Sequence, residues 1–316
     1  MQRRGRIAGL IAVLAIGGVG AQPGAATASK WPNVNWTSLL PTLPSPLKKA
    51  GSVPYCRKPR VRCISTEVRR LNRLRDALGC DHRAVFATTY LELTKVLLQT
   101  VETEPRFFRD PQYLYTEDAL FADVYFNTFD AWERGQPVPE AWRIAFQAAR
   151  SGDFNAGQDV LLGINAHVQN DMPFVLAALG LRTPTGESRK PDHDAVNEVL
   201  RRAYQPVIDA VASRYDPLLK QANLSEAAAL ALVRGWREEV WRNAERLVNA
   251  SGSQERQAVA NQIKANAAAW GRMITAGLGV PGYRARRDVY CAQHLGRSGA
   301  NHPKAGKPGL PLPVPG

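Results

Sequence analysis

The chain has 316 residues, of which 45% are apolar and 22% charged, with a formal charge of +13. That length and apolar content suit a globular chain with a large core and exclude a chain that stays unfolded throughout. The positive charge favours anionic partners such as cell-envelope polymers or lipid headgroups, but the basic residues are scattered along helical faces and no nucleic-acid motif accompanies them.

Residues 1–28 read as a cleavable secretion signal. Arg3, Arg4 and Arg6 precede an apolar run from Ile7 to Val19, and Ala26-Thr27-Ala28 is a small-x-small cleavage site. Cleavage after Ala28 would remove three arginines and no acid, leaving +10 on a secreted or envelope-located chain with no transmembrane segment. Residues 29–55 hold Pro32, Pro41, Pro44, Pro46 and Pro54 and read as an extended lead-in.

From Cys63 the pattern is helical. Thr66–Leu78 forms a short basic helix stopped by Gly79. Asp81 is the expected N-cap of a helix from His82 to about Val101, with Phe86, Tyr90, Leu93 and Leu97 as its buried stripe and His82 at the stripe's start. Asp110-Pro111 opens a helix to about Arg134, with Phe121, Tyr125 and Trp132 inward. Pro139 starts another, carrying Trp142 and Phe146, which Ser151-Gly152-Asp153 breaks.

The central helix spans Gly157–Gly180. Val160, Ile164, His167, Val168, Asp171 and Val175 share its apolar face, so His167 and Asp171 are neighbours one turn apart. Pro173 removes a backbone donor and should free the carbonyl of Gln169. Asp192 then caps a helix bearing His193, Asp194, Asn197, Tyr204 and Ile208, and Pro206 is a possible kink site. Ser225 caps a helix with Trp236, Val240, Asn243 and Leu247 inward, and Gln254–Ala276 is the last helix. The stretch from Gly277 is rich in Gly, Pro and Arg, and 292–316 reads as disordered.

Cys56, Cys63, Cys80 and Cys291 make an even count, which in an exported chain implies two disulfides. Three pairings are possible. Cys56–Cys63 across a short loop, with Cys80–Cys291 tying the first core helix to the C-terminal region, is the preferred one. The expected fold is therefore all-α: one bundle-like multi-helix domain over 56–291, tied by two disulfides.

A buried His and carboxylate need partners. Helices carrying His82 and the Asp194/Asn197 group could complete a divalent-metal site around His167 and Asp171, with zinc the expected ion and Asn165 and Asn197 orienting. The same residues could equally form a hydrogen-bonded network in which Asp171 orients His167 and nothing is catalysed. The chain has no Gly-x-Ser-x-Gly elbow, phosphate-binding loop or dinucleotide fingerprint.

Three runs carry a resemblance: Cys80–Tyr90, Leu161–Pro173 with its Asn-Ala-His-x-x-x-Asp-x-Pro core, and Asp194–Asn197. Together they resemble a family of exported, mostly actinobacterial helical proteins catalogued only as a domain of unknown function. The resemblance implies an all-helical domain with a His/Asp-centred site and brings no established activity. His167, Asp171 and Pro173 are also distantly similar to the His-x-x-x-Asp helix of zinc-dependent phospholipases C and related single-strand nucleases. This chain lacks that pattern's glycine before the Asp and the further histidine beyond the proline, so the similarity implies one metal at most. The leading expectation is a metal-dependent hydrolase of phosphoester or related envelope substrates, with His82, His167, Asp171 and Asp194 as ligands. The alternative is a non-catalytic envelope binding or structural protein.

Overall fold

A computed structural model describes residues 56, 58–221, 225–276 and 282–295; the expected signal sequence, nearly all of the expected lead-in and 296–316 lie outside the described residues. The regular structure of the described residues is all helical, with a single isolated bridge between Arg182 and Ser188 and no strand. In chain order come α1 (Val61–Leu78), α2 (Ala84–Thr103), α3 (Pro111–Glu133), α4 (Glu140–Ser151) and α5 (Ala156–Ile164). A π-helical segment (Asn165–Asp171) runs straight into α6 (Met172–Leu179). Then follow α7 (Lys190–Arg214), a 3-10 turn (Pro217–Gln221), α8 (Glu226–Asn249), α9 (Ser253–Ala276) and α10 (Tyr283–Leu295). No helix among the described residues is long and apolar enough to cross a membrane.

The ends of several elements follow from their caps. Asp110 accepts the Tyr113 N–H at 3.1 Å with Pro111 in the first turn of α3. Asn155 and Gln158 form a reciprocal capping box at the start of α5. The sequence makes Asp192 the cap of its own helix, but α7 starts two residues earlier, at Lys190, and Asp192 does not cap it. It is buried in the first turn of α7, and its carboxylate accepts the backbone N–H groups of Arg109 and Asp110 at 2.8 and 2.7 Å, fixing the entry to α3. Asp81 likewise bonds the Arg83 N–H and guanidinium, and α2 begins two residues later than the sequence suggests.

Both disulfides have the preferred pairing, Cys56–Cys63 and Cys80–Cys291. The second seats α10, a helix that the Arg-rich composition conceals and that runs past the expected end of order to Leu295. Its buried side chains Tyr283, Arg287 and Cys291 recur every fourth residue, so one member of the inward stripe is a charge. That charge is neutralised: Arg287 Nη1 lies 2.8 Å from Asp159 Oδ2, and both side chains are buried. Tyr283 donates to Asp216, and His82 Nε2 lies 3.0 Å from Asp288.

The main core is formed by α2, α3, α4 and the central segment, around Phe86, Tyr90, Phe121, Tyr125, Phe126 and Trp142. Close approach of α5 to α2 depends on Gly163, where an added Cβ would stand 2.1 Å from the Phe86 ring.

Candidate functional site in the central segment

The sequence motif Asn-Ala-His-x-x-x-Asp coincides with the π-helical turn, Asn165–Asp171. There the Met172 N–H bonds the His167 carbonyl five residues back, where an α-helix would reach four. Pro173 follows at once in α6. The predicted straight α-helix is thus interrupted over the residues that carry the chemistry, and π segments of this kind concentrate at functional sites.

His167 and Asp171 meet as expected, with Nδ1 and Oδ2 at 3.1 Å and both side chains nearly fully buried. Asp171 also accepts from Trp142 Nε1 at 2.8 Å and from Asn170 Nδ2 at 2.6 Å. A carboxylate receiving two other donors acts as the acceptor toward His167, so the imidazole proton sits on Nδ1 and Nε2 carries the lone pair. Nε2 has no hydrogen-bond partner. Phe121 stacks flat on the imidazole, centroids 3.4 Å apart, and Tyr90 meets it edge-on at 4.8 Å. Burial in this aromatic box, opposed by the bond to Asp171, moves the imidazole pKa below its ordinary 6.5.

The other expected site residues do not converge on this pair. His82 is buried against α10 with Asp288. Asp194 is on the surface, with Lys190 Nζ 2.6 Å away. Asn165 donates to the Ala267 carbonyl at 2.7 Å and joins the π segment to α9, while Asn197 accepts from Arg237 Nε at 3.0 Å. Among the described residues no group of three or more His, Cys, Asp or Glu side chains is arranged to hold a metal ion.

The structure shows instead a partly open cavity of about 310 Å³ lined by α2, α3, the central segment, α7, α8 and α9. Its walls are overwhelmingly apolar, with Leu93, Leu97, Ile164, Val168, Val196 and Trp270 among them. His167 lines it, as do three charged residues that periodicity did not single out: Glu117, Asp118 and Arg237. A signal for them exists. Glu117 stands four and eight residues before Phe121 and Tyr125 on the buried side of α3, and Arg237 four before Trp241 on α8.

Glu117 is buried yet makes no hydrogen bond or ion pair among the described residues. Burial, reinforced by Asp118 and Asp192 and opposed by Arg237 and Arg189, pushes its carboxyl up to about 7. The raised value has a signed consequence. The unfolded carboxyl ionises near its ordinary 4.5 while the folded one retains its proton until about 7, so stability is lost as pH rises through that window. The Glu117→Gln variant should match the wild type near pH 4 and exceed it by roughly 3 kcal/mol at pH 8, by urea unfolding at each pH. A constant difference across the range would refute this account of Glu117.

The model of a family described as "Family of unknown function (DUF5995)" matches residues 64–277, which spans α1 to α9 and the whole cavity. No curated protein and no solved structure matches the chain.

Proposed function

We propose that this chain, which belongs to the DUF5995 family of unknown function, works as an exported binding protein that takes an apolar ligand into the cavity between its helices. The observation that carries this reading is one juxtaposition: an apolar cavity of about 310 Å³ with the unpartnered Nε2 of His167 fixed in its wall. Volume and lining suit a small apolar molecule or part of an acyl chain, with a few polar groups setting its orientation. The positive charge of the chain, +13 before any processing, would hold such a protein near anionic envelope components.

Hydrolysis is the second reading. It is favoured by the His167–Asp171 pair, in which a carboxylate fixes the tautomer and leaves Nε2 able to accept a proton. A zinc-dependent version would take Nε2 as a ligand. It would also need donors beyond Asp171, whose oxygens already serve Trp142 and Asn170, so no step is derived through a metal.

Two measurements on the mature chain test these readings. Organic extraction and mass spectrometry of protein purified without detergent should recover a stoichiometric apolar molecule, depleted in Leu200→Trp, whose larger side chain narrows the cavity. Elemental analysis of the same sample should find well under one transition metal per chain. A stoichiometric zinc that disappears in His167→Ala would reverse the order of the two readings.

A further inference from the structure

Three buried groups in the cavity wall carry acceptor atoms with no bonded partner. Glu117 presents a carboxyl with no bonded partner, 5% exposed. Asp118 bonds Glu67 through its carboxyl, and its Oδ2 is buried without a partner. His167 Nε2 is a third buried, unpartnered acceptor, since Nδ1 holds the proton against Asp171.

Three donors in the same wall are already used. Thr89 and Thr94 donate their hydroxyls to the carbonyls of Val85 and Tyr90, at 2.9 and 2.8 Å. Arg237 gives Nε to Asn197 and one terminal nitrogen to the His193 carbonyl, and its other terminal nitrogen lies 3.6 Å from Met172 Sδ. Arg237 therefore offsets charge at a distance and offers no free fork to a carboxylate or phosphate.

Resting on the binding reading above, we infer that the cavity's ligand is an apolar molecule whose head donates hydrogen bonds, a hydroxyl or an ammonium, and that Glu117 is the group that receives it. An anionic head would set oxygens against three acceptors and pay its desolvation uncompensated. A donor head would satisfy groups that are otherwise buried without partners. An ammonium would in addition form an ion pair with the Glu117 carboxylate, the stronger form of the same bond.

The test uses three probes of equal chain length, each below its micellar concentration: dodecanol, dodecylammonium and dodecanoate. They are titrated into the mature chain at pH 8, where the Glu117 carboxyl is ionised, and binding is followed by calorimetry. Dodecanol and dodecylammonium should bind at least about tenfold more tightly than dodecanoate. Glu117→Gln should remove most of the ammonium's advantage over the alcohol while leaving dodecanol binding measurable. Dodecanoate binding as tightly as the other two, or an ammonium preference unchanged in Glu117→Gln, would overturn the donor-head inference and leave the cavity reading standing. Failure of all three probes to bind would overturn both.

Discussion

Replacing Cys80 and Cys291 together with serine should lower the unfolding free energy by about 5 kcal/mol, the largest effect expected of any change in this chain. The bridge spans 211 residues, so cutting it releases the unfolded chain from a very long closed loop. Native contacts then decide how the loss is distributed. α10 stays attached through Arg287–Asp159, Tyr283–Asp216 and His82–Asp288, contacts that also hold it with the bridge intact. Once the bridge is gone, α10 should become the least stable unit and open before the core does. Urea unfolding of the double variant gives the global loss, and amide exchange gives the order of opening. The Cys56–Cys63 bridge closes only a seven-residue separation, so the matching Cys56→Ser/Cys63→Ser variant should lose about 2 kcal/mol. Equal losses from the two variants would show that loop length is not what sets the stabilisation.

Asp171→Ala should cost on the order of 4 kcal/mol, because three buried donors lose their acceptor together. Trp142 Nε1, Asn170 Nδ2 and His167 Nδ1 all point at that one carboxylate, in a box of aromatic rings. The imidazole gives a second, signed readout. Its folded pKa lies below 6.5 through burial, so its neutral form contributes stability above that pH and the contribution is lost as pH falls below it. Removing Asp171 removes the one interaction that raises this pKa, so the fall in stability with acid should persist or steepen in the variant. Chemical denaturation at pH 5 and pH 8 checks both parts. A loss below about 1 kcal/mol at pH 8 would mean that the three donors find other partners and that the dyad is not a fixed element of the core.

Much of this fold is readable in the sequence because its cues are local. Proline at the start of α3, the break after α4 and the serine cap of α8 mark helix ends with side chains that act within three or four residues. His167 and Asp171 were legible as neighbours because a spacing of four keeps two side chains together in either helical register. The π turn itself was not legible. It differs from an α turn in hydrogen-bond register alone, and no residue composition reports that. Convergence of His82 and Asp194 on His167 was a guess about tertiary placement. Asp194 faces solvent on α7, and His82 is bonded to Asp288 of α10, a helix hidden by its arginines. Glu117 and Arg237 went unnoticed because an apolar stripe interrupted by a charge reads as a boundary between faces, although here the charge belongs to the inside.

The π turn also bears on descent. A helix that absorbs one extra residue turns everything beyond it by about 100° relative to what precedes it. A relative one residue shorter between Asn165 and Asp171 would resume the α register, with Met172 and Val175 rotated out of the packing they have here. Within the family, a single-residue gap at this point should therefore mark lineages that kept the helices and gave up the polar end of the cavity.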